Sequence, residues 1–135
     1  MVNLRQLGLI AESEFADIVQ TTEIIRDKLR VLLNDGSYTD FWWSGQIQGR
    51  FAHHWERTHI DGTIYRHDNM PHPRWQYVAT FPQHFHDGSP NKVTESYLPT
   101  EPEEALRQFL EFARALIHKE GGHHNPSLEI LGSAR

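Results

Sequence analysis

Two Asp-Gly pairs, Asp35-Gly36 and Asp61-Gly62, each lie between runs in which apolar and polar residues alternate. That setting is a strong hairpin signal, because both central residues of a type I′ turn need positive φ. The pattern predicts two antiparallel hairpins, Leu29–Leu33 with Tyr38–Trp43 and Arg50–Ile60 with Thr63–Asp68, joined through a turn bracketed by Gly45 and Gly49. Pro71, Pro73 and Pro82 exclude regular helix from 70–86. That stretch reads as a loop ending in a short strand around Val78–Phe81, and a further strand is expected at Lys92–Tyr97.

One helix is clearly written. Thr100-Glu101-Pro102-Glu103 is a capping box with proline in the first turn. Leu106, Phe109, Leu110, Ala113, Leu116 and Ile117 then mark one apolar face, and Gly121-Gly122 closes a helix over Glu101–His118. The first 28 residues support two readings, a short helix capped by Ser13 and carrying Phe15, Ile18 and Val19, or a strand through the β-branched run Val19–Ile25. The expected fold is α+β: an antiparallel sheet of four to five strands with a C-terminal covering helix. Residues 1–120 form a single domain, followed by a tail over 121–135.

The chain carries a net charge of −5 with its histidines neutral, which argues against a broad basic nucleic-acid face but leaves room for a local Arg/His patch. It contains no cysteine, which removes disulfides and thiolate metal sites. No apolar run is long enough for a signal peptide or a membrane span, so a cytoplasmic location away from membranes is expected.

Ten histidines stand in 135 residues, six of them between His54 and His86. The ordinary imidazole pKa of about 6.5 suits proton transfer, metal ligation and anion binding alike. A two-residue turn at Asp61-Gly62 would set Arg57 opposite Arg66, Glu56 opposite His67 and Trp55 opposite Asp68. One face then carries His53, Trp55, Arg57, Arg66 and Asp68, and the other His54, Glu56, Tyr65 and His67. Such a hairpin is either a solvated sheet edge or, with two arginines relieved by a phosphate, an anion site. His84-Phe85-His86 can chelate zinc with a third ligand from His54, His67, Asp68 or Asp87, or its rings can bond to backbone. His54, His72, His84 and His86 also qualify as general acids and bases, with Arg66 stabilising developing negative charge. Asn69, before Met70-Pro71, reads as a turn organiser. His118, His123 and His124 read as capping or tail residues.

Four motifs in order resemble the TumE-like toxins of toxin–antitoxin modules: Leu33-Asn34-Asp35-Gly36-Ser37, His54-Trp55, Arg66 to His72, and Thr80 to His86. The resemblance runs from about Leu29 to Ile117. This chain has His67 where the family commonly has Tyr, Pro73 where it has a second His, and Gln83-His84-Phe85-His86 where it has His-His-Lys-His. The resemblance implies a small toxin encoded beside a helix-turn-helix antitoxin. The leading expectation is RNA cleavage or RNA binding through His54, Arg66, Asp68, His72, His84 and His86, with neither metal nor cofactor required, the attacking group being the RNA's own hydroxyl. A homodimer is an expected assembly. The alternatives are a His-ligated metal-binding enzyme and a non-catalytic interaction domain built on Trp42, Trp43, Trp55 and Trp75.

Overall fold

The computed structural model describes residues 1–123. Helix α1 (Leu4–Glu14) is followed by β1 (Val19–Ile25), β2 (Lys28–Leu33), β3 (Tyr38–Trp43) and β4 (Phe51–Arg57). A single helical turn, α2 (Thr58–Asp61), leads into β5 (Thr63–Asp68), β6 (His84–Gly88), β7 (Val93–Glu95) and the long helix α3 (Pro102–His123). The strands form one antiparallel meander in the order β1-β2-β3-β4-β5-β6-β7. Seven strands replace the expected four to five. Of the two readings of the N-terminus the strand holds, over Val19–Ile25, and the helix begun at Ser13 does not: Phe15, Ile18 and Val19 all lie beyond the end of α1 at Glu14. Asn3, rather than Ser13, caps α1 by accepting from the Gln6 amide at 3.0 Å.

Strand alternation sorts the sheet into two unlike faces. On one, Leu29, Val31, Leu33, Phe41 and Trp55 meet Leu7, Ile10 and Ala11 of α1, Phe15 just beyond it, and Leu106, Phe109, Leu110 and Ala113 of α3 in a single core. Phe109 meets Phe41 edge-on, and Phe112 does the same to Trp55, Tyr65 and Phe85, so α3 spans the sheet from β3 to β6. The α3 N-terminus is capped by Glu101, whose carboxylate accepts from the amides of Glu103 and Glu104. The role expected of Thr100 thus falls one residue later. The helix does not stop at Gly121-Gly122 but reaches His123; the rest of the tail, His124 included, lies outside the described residues.

Asp35-Gly36 and Asp61-Gly62, the two of the chain's three Asp-Gly pairs expected to make hairpins, behave differently. At the first, the Leu33 amide donates to the Ser37 carbonyl at 2.9 Å, and Gly36 alone of the turn takes positive φ, at +92°. The loop therefore spans three residues and is not a type I′ turn. At the second, β4 ends at Arg57, not at Ile60, and Gly62 (φ +79°) closes the α2 turn by donating to Thr58. Glu56 explains the stop, because its carboxylate bonds the Thr58 amide and hydroxyl and turns the chain out of the sheet. The register consequently slides by three residues: His54 faces Arg66, His53 faces His67, and Arg57 faces Thr63. An odd slide exchanges the faces of β5 relative to β4, and so Arg57 and Arg66 lie on opposite sides of the sheet instead of repelling each other.

Arg57 is fully buried on the helix side, over the Trp55 ring, and ion-paired to Asp35 at 2.7 Å, Glu120 at 2.9 Å and Asp61 at 3.2 Å. It ties the first turn, α2 and the end of α3 together. Removing the cation strands three carboxylates around a cavity. Arg57→Ala is expected to cost about 3 kcal/mol, measurable by urea denaturation.

Candidate functional site

The face away from the helices is polar, and its residues fall into registered rows. One row runs Glu23, Arg30, Asp40, His54, Arg66 and His86 across β1 to β6, each directly opposite the next. The neighbouring row runs Lys28, Trp42, Ala52, Asp68, His84 and Glu95. Signs alternate along the first row, and Arg30 makes a two-pronged bond to Asp40 at 2.8 and 2.9 Å. The ladder thus pairs cation with anion until it reaches β4–β6, where the histidines gather.

Five of the six residues singled out in the sequence meet here: His54, Arg66, Asp68, His84 and His86. Asp68 is the hub. Arg66 donates from Nε to its Oδ2 at 2.9 Å, and the Met70 amide donates to Oδ1 at 2.9 Å. The Nε2 atoms of His84 and His86 stand 3.3 Å from Oδ1 and 3.7 Å from Oδ2. Burial pushes the Asp68 carboxyl up, but the neighbouring His86 and His84 rings, the Met70 amide and Arg66 outweigh it and hold it down at about 2. It is an anion at every working pH.

Both rings are oriented from behind. His84 donates from Nδ1 to the Pro82 carbonyl at 2.8 Å, and His86 from Nδ1 to the Pro90 carbonyl at 2.9 Å. A carbonyl can only accept, so each Nδ1 must carry its proton and each Nε2 is the free position. The two rings lie 4.9 Å apart, with both Nε2 atoms facing one carboxylate. The His-X-His segment is therefore a strand, not the loop the prolines suggested. Prolines flank it and fix its rings through their carbonyls. The expected strand at Val78–Phe81 is absent, and the expected one at Lys92–Tyr97 shortens to Val93–Glu95.

His54 occupies the accessible rim. Arg66 donates from Nη1 to its Nδ1 at 3.4 Å, and its Nε2 donates to Glu56 at 3.0 Å. Burial acts to raise the Glu56 carboxyl, yet the Thr58 hydroxyl and His54 hold it down at about 2. His72 is placed differently from the other five. Its Nδ1 accepts from the Arg74 amide and caps a 3-10 turn at Pro73–Trp75, while its ring lies 6.4 Å from that of Trp75. Trp75 itself packs against both site histidines, at 6.0 and 5.8 Å. Sequence reasoning assigned Trp75 to an interface. The nearer signal was an aromatic inside the proline-rich connection that carries His72. Asn69 ties β5 to the preceding turn, accepting from the Phe51 amide and donating to the Gly49 carbonyl.

The other histidines do other work. His53 and His67, opposite each other on the helix side, pack among Phe41, Trp43, Phe51, Phe85 and Phe109. Burial is the main cause that drives them down, to about 3 and about 4, so both are neutral core residues. His59 bonds the Gly36 carbonyl, and His118 reaches Asp17 on the loop after α1.

Such a face can hold an anion at Arg66 and His54, exchange protons at two preset Nε2 positions, or ligate a cation through Asp68, His84 and His86. Among the described residues no helix is long and apolar enough to cross a membrane. No curated protein and no solved structure matches the chain significantly. The family model of the toxin TumE, however, matches residues 4–117, from the first turn of α1 nearly to the end of α3 and across every strand that builds the polar face. The chain belongs to the TumE toxin family.

Proposed function

We propose that this toxin acts by cleaving RNA, with the polar face of β4–β6 as its active site and no metal required for the chemistry. Membership in a toxin family implies an antitoxin partner; the reading adds that the antitoxin is encoded alongside, that the pair works in the cytoplasm, and that the free toxin self-associates as a homodimer. The observation that carries it is the pair of imidazoles whose Nδ1 atoms are both anchored to carbonyls, setting both Nε2 atoms against Asp68, the carboxylate that Arg66 also binds.

Two such nitrogens suffice for transesterification at a ribonucleotide. One Nε2 takes the proton from the 2′-hydroxyl as the 2′-oxygen bonds to phosphorus. The other, entering the reaction as an imidazolium with a second proton on Nε2, gives that proton to the departing 5′-oxygen as its bond to phosphorus breaks. Arg66, with His54 at its side, faces the phosphoryl oxygens that gain charge in the transition state. The products are a 2′,3′-cyclic phosphate and a free 5′-hydroxyl. Asp68, charged throughout, aligns both rings and is a positioning residue.

The test is incubation of the purified full-length chain with total RNA and with its all-2′-O-methyl counterpart, in excess chelator. Cleavage of the first alone, leaving 2′,3′-cyclic ends, is expected. Intact RNA, or equal cleavage of the methylated strand, overturns the reading. Light scattering checks the dimer.

A further inference from the structure

We infer that Asp68, His84 and His86 form a binding site for a divalent transition-metal ion of the zinc class, and that loading it switches the toxin off. The switching half rests on the cleavage reading above; the binding half stands on the geometry alone.

The geometry poses a hydrogen-bonding mismatch. With Nδ1 of each ring committed to a carbonyl, the neutral form of either histidine turns the Nε2 lone pair toward the Asp68 carboxylate, an acceptor facing an acceptor. The group is largely buried, with Asp68 at 3% exposure, His84 at 1% and His86 at 9%, so an acceptor left facing an acceptor there is costly. A cation between the three groups removes the conflict at both rings at once and neutralises the carboxylate.

The distances suit one. The three ligand atoms lie within 4.8 Å of one another. Donors bound at about 2.1 Å to one tetrahedral ion stand about 3.4 Å apart, against 3.3 Å here from Asp68 Oδ1 to His84 Nε2 and 3.7 Å from Asp68 Oδ2 to His86 Nε2. The surroundings also match what metal-binding histidines need. Each has its far nitrogen donating to a backbone carbonyl, and the carboxylate is held by Arg66 and the Met70 amide. Two imidazoles and one carboxylate favour zinc and its first-row neighbours over calcium or magnesium, which prefer oxygen alone. A ligated Nε2 neither takes nor gives a proton. The ion therefore occupies the same two positions that cleavage uses.

The experiment titrates ZnCl₂ into chelator-stripped, untagged full-length protein by calorimetry and then assays RNA cleavage on the same samples. One equivalent should bind in the wild type and in His118→Ala, whose histidine lies on α3. Asp68→Asn and His84→Ala should weaken that site by more than the 10- to 100-fold typical of losing an outer-shell bond. Because either variant can unfold, X-ray absorption on the wild-type zinc complex supplies a second reading, with outer-shell scattering from two imidazoles expected. No bound zinc, zinc without imidazole, or equal binding by folded His84→Ala overturns the site. If stripped protein cleaves RNA and one equivalent of zinc stops it, switching holds. If stripped protein cleaves and saturating zinc changes nothing, switching fails while the cleavage reading stands. If zinc is needed for cleavage, both switching and metal-free chemistry fail. If neither form cleaves, the cleavage reading fails and takes switching with it, and calorimetry still decides the site.

Discussion

His86→Ala should lower the RNA cleavage rate by about 100- to 10,000-fold, the usual worth of a positioned acid or base, and should abolish growth inhibition on induced expression. His86 suits this test because it lies at the outer edge of the buried group, its side chain 11% exposed against 2% for His84, so its loss disturbs packing least. Arg66→Ala should cost about 100- to 1,000-fold, as removal of one preset charge donor does elsewhere. Arg66→Lys should recover only part of that loss, because an ammonium keeps the charge without the fork. The diagnostic result is the double variant. If both imidazoles serve one proton circuit, His84→Ala with His86→Ala should be little worse than either alone, because the circuit is already broken. Multiplying losses would mean that the two act independently, and unchanged cleavage would remove both from the chemistry. Far-UV circular dichroism on each variant separates loss of function from loss of fold.

How far this site could be read from the sequence depended on register. His84 and His86 two apart, and Arg66 and Asp68 two apart, each had to share a face if their segments were strands, and this follows from the pleat alone. Placing His54 with Arg66 required knowing where β4 ends, and Asp61-Gly62 pointed to the wrong place. Gly62 serves as the left-handed residue closing a helical turn, not as half of a two-residue hairpin, a distinction no dipeptide makes. The carboxylate of Glu56, bonding forward to Thr58, was the better stop signal. The strand nature of β6 was hidden by Pro82 and Pro90, which flank it without entering it. The α3 helix was legible because its cap, proline and apolar face agree. The N-terminal helix carried its own signal, Asn3 as cap and Leu4, Leu7, Ile10 and Ala11 at helical spacing, but Ser13, in its last turn, drew the start to the wrong end.

A further consequence concerns the neighbouring pair His53-His54. Consecutive strand residues point to opposite faces, so one histidine serves the polar face while the other is sealed under α3. The family commonly carries Tyr at the position of His67, the cross-strand partner of His53. An aromatic ring is thus what the core requires there, and the imidazole supplies it only while neutral. His67 keeps its Nδ1 toward the Ser96 hydroxyl at 2.7 Å, and that hydroxyl also accepts from Gln83 at 2.9 Å. Gln83, standing where the family commonly has histidine, therefore braces the segment leading into α3 in this chain.

The same burial makes the fold acid-sensitive. A histidine whose folded pKa is depressed binds fewer protons in the native than in the unfolded state, so stability rises with pH across the gap. Here the gap runs from the unfolded value of about 6.5 down to about 3 for His53 and about 4 for His67. The contribution is intact above pH 6.5 and is lost as pH falls through that window. By pH 5 each ring removes about 2 kcal/mol relative to pH 7, or about 4 kcal/mol together, which is about 10–15 °C in Tm for a chain of this size. Besides burial, His67 and Arg66 lower His53, His84 and His86 lower His67, and Asp68 opposes the shift in both. The depressed carboxylates of Asp68 and Glu56 act in the same direction, but only below about pH 4.5, where their unfolded forms begin to bind protons. Between pH 6.5 and 5 the two core histidines therefore lower stability as the medium becomes more acid. His53→Phe, placed among Phe41, Trp43 and Phe51, and His67→Tyr, the family's residue, should each flatten the curve by about half, and the two together should abolish its slope above pH 5. Calorimetric melting at half-unit steps from pH 5 to 7.5 measures this, and a flat wild-type profile would remove the claim. The result also bears on the active site: an acid limb in the cleavage rate below pH 6 is cleanly assigned to chemistry in the doubly substituted background, because in the wild type the scaffold loses stability over the same range.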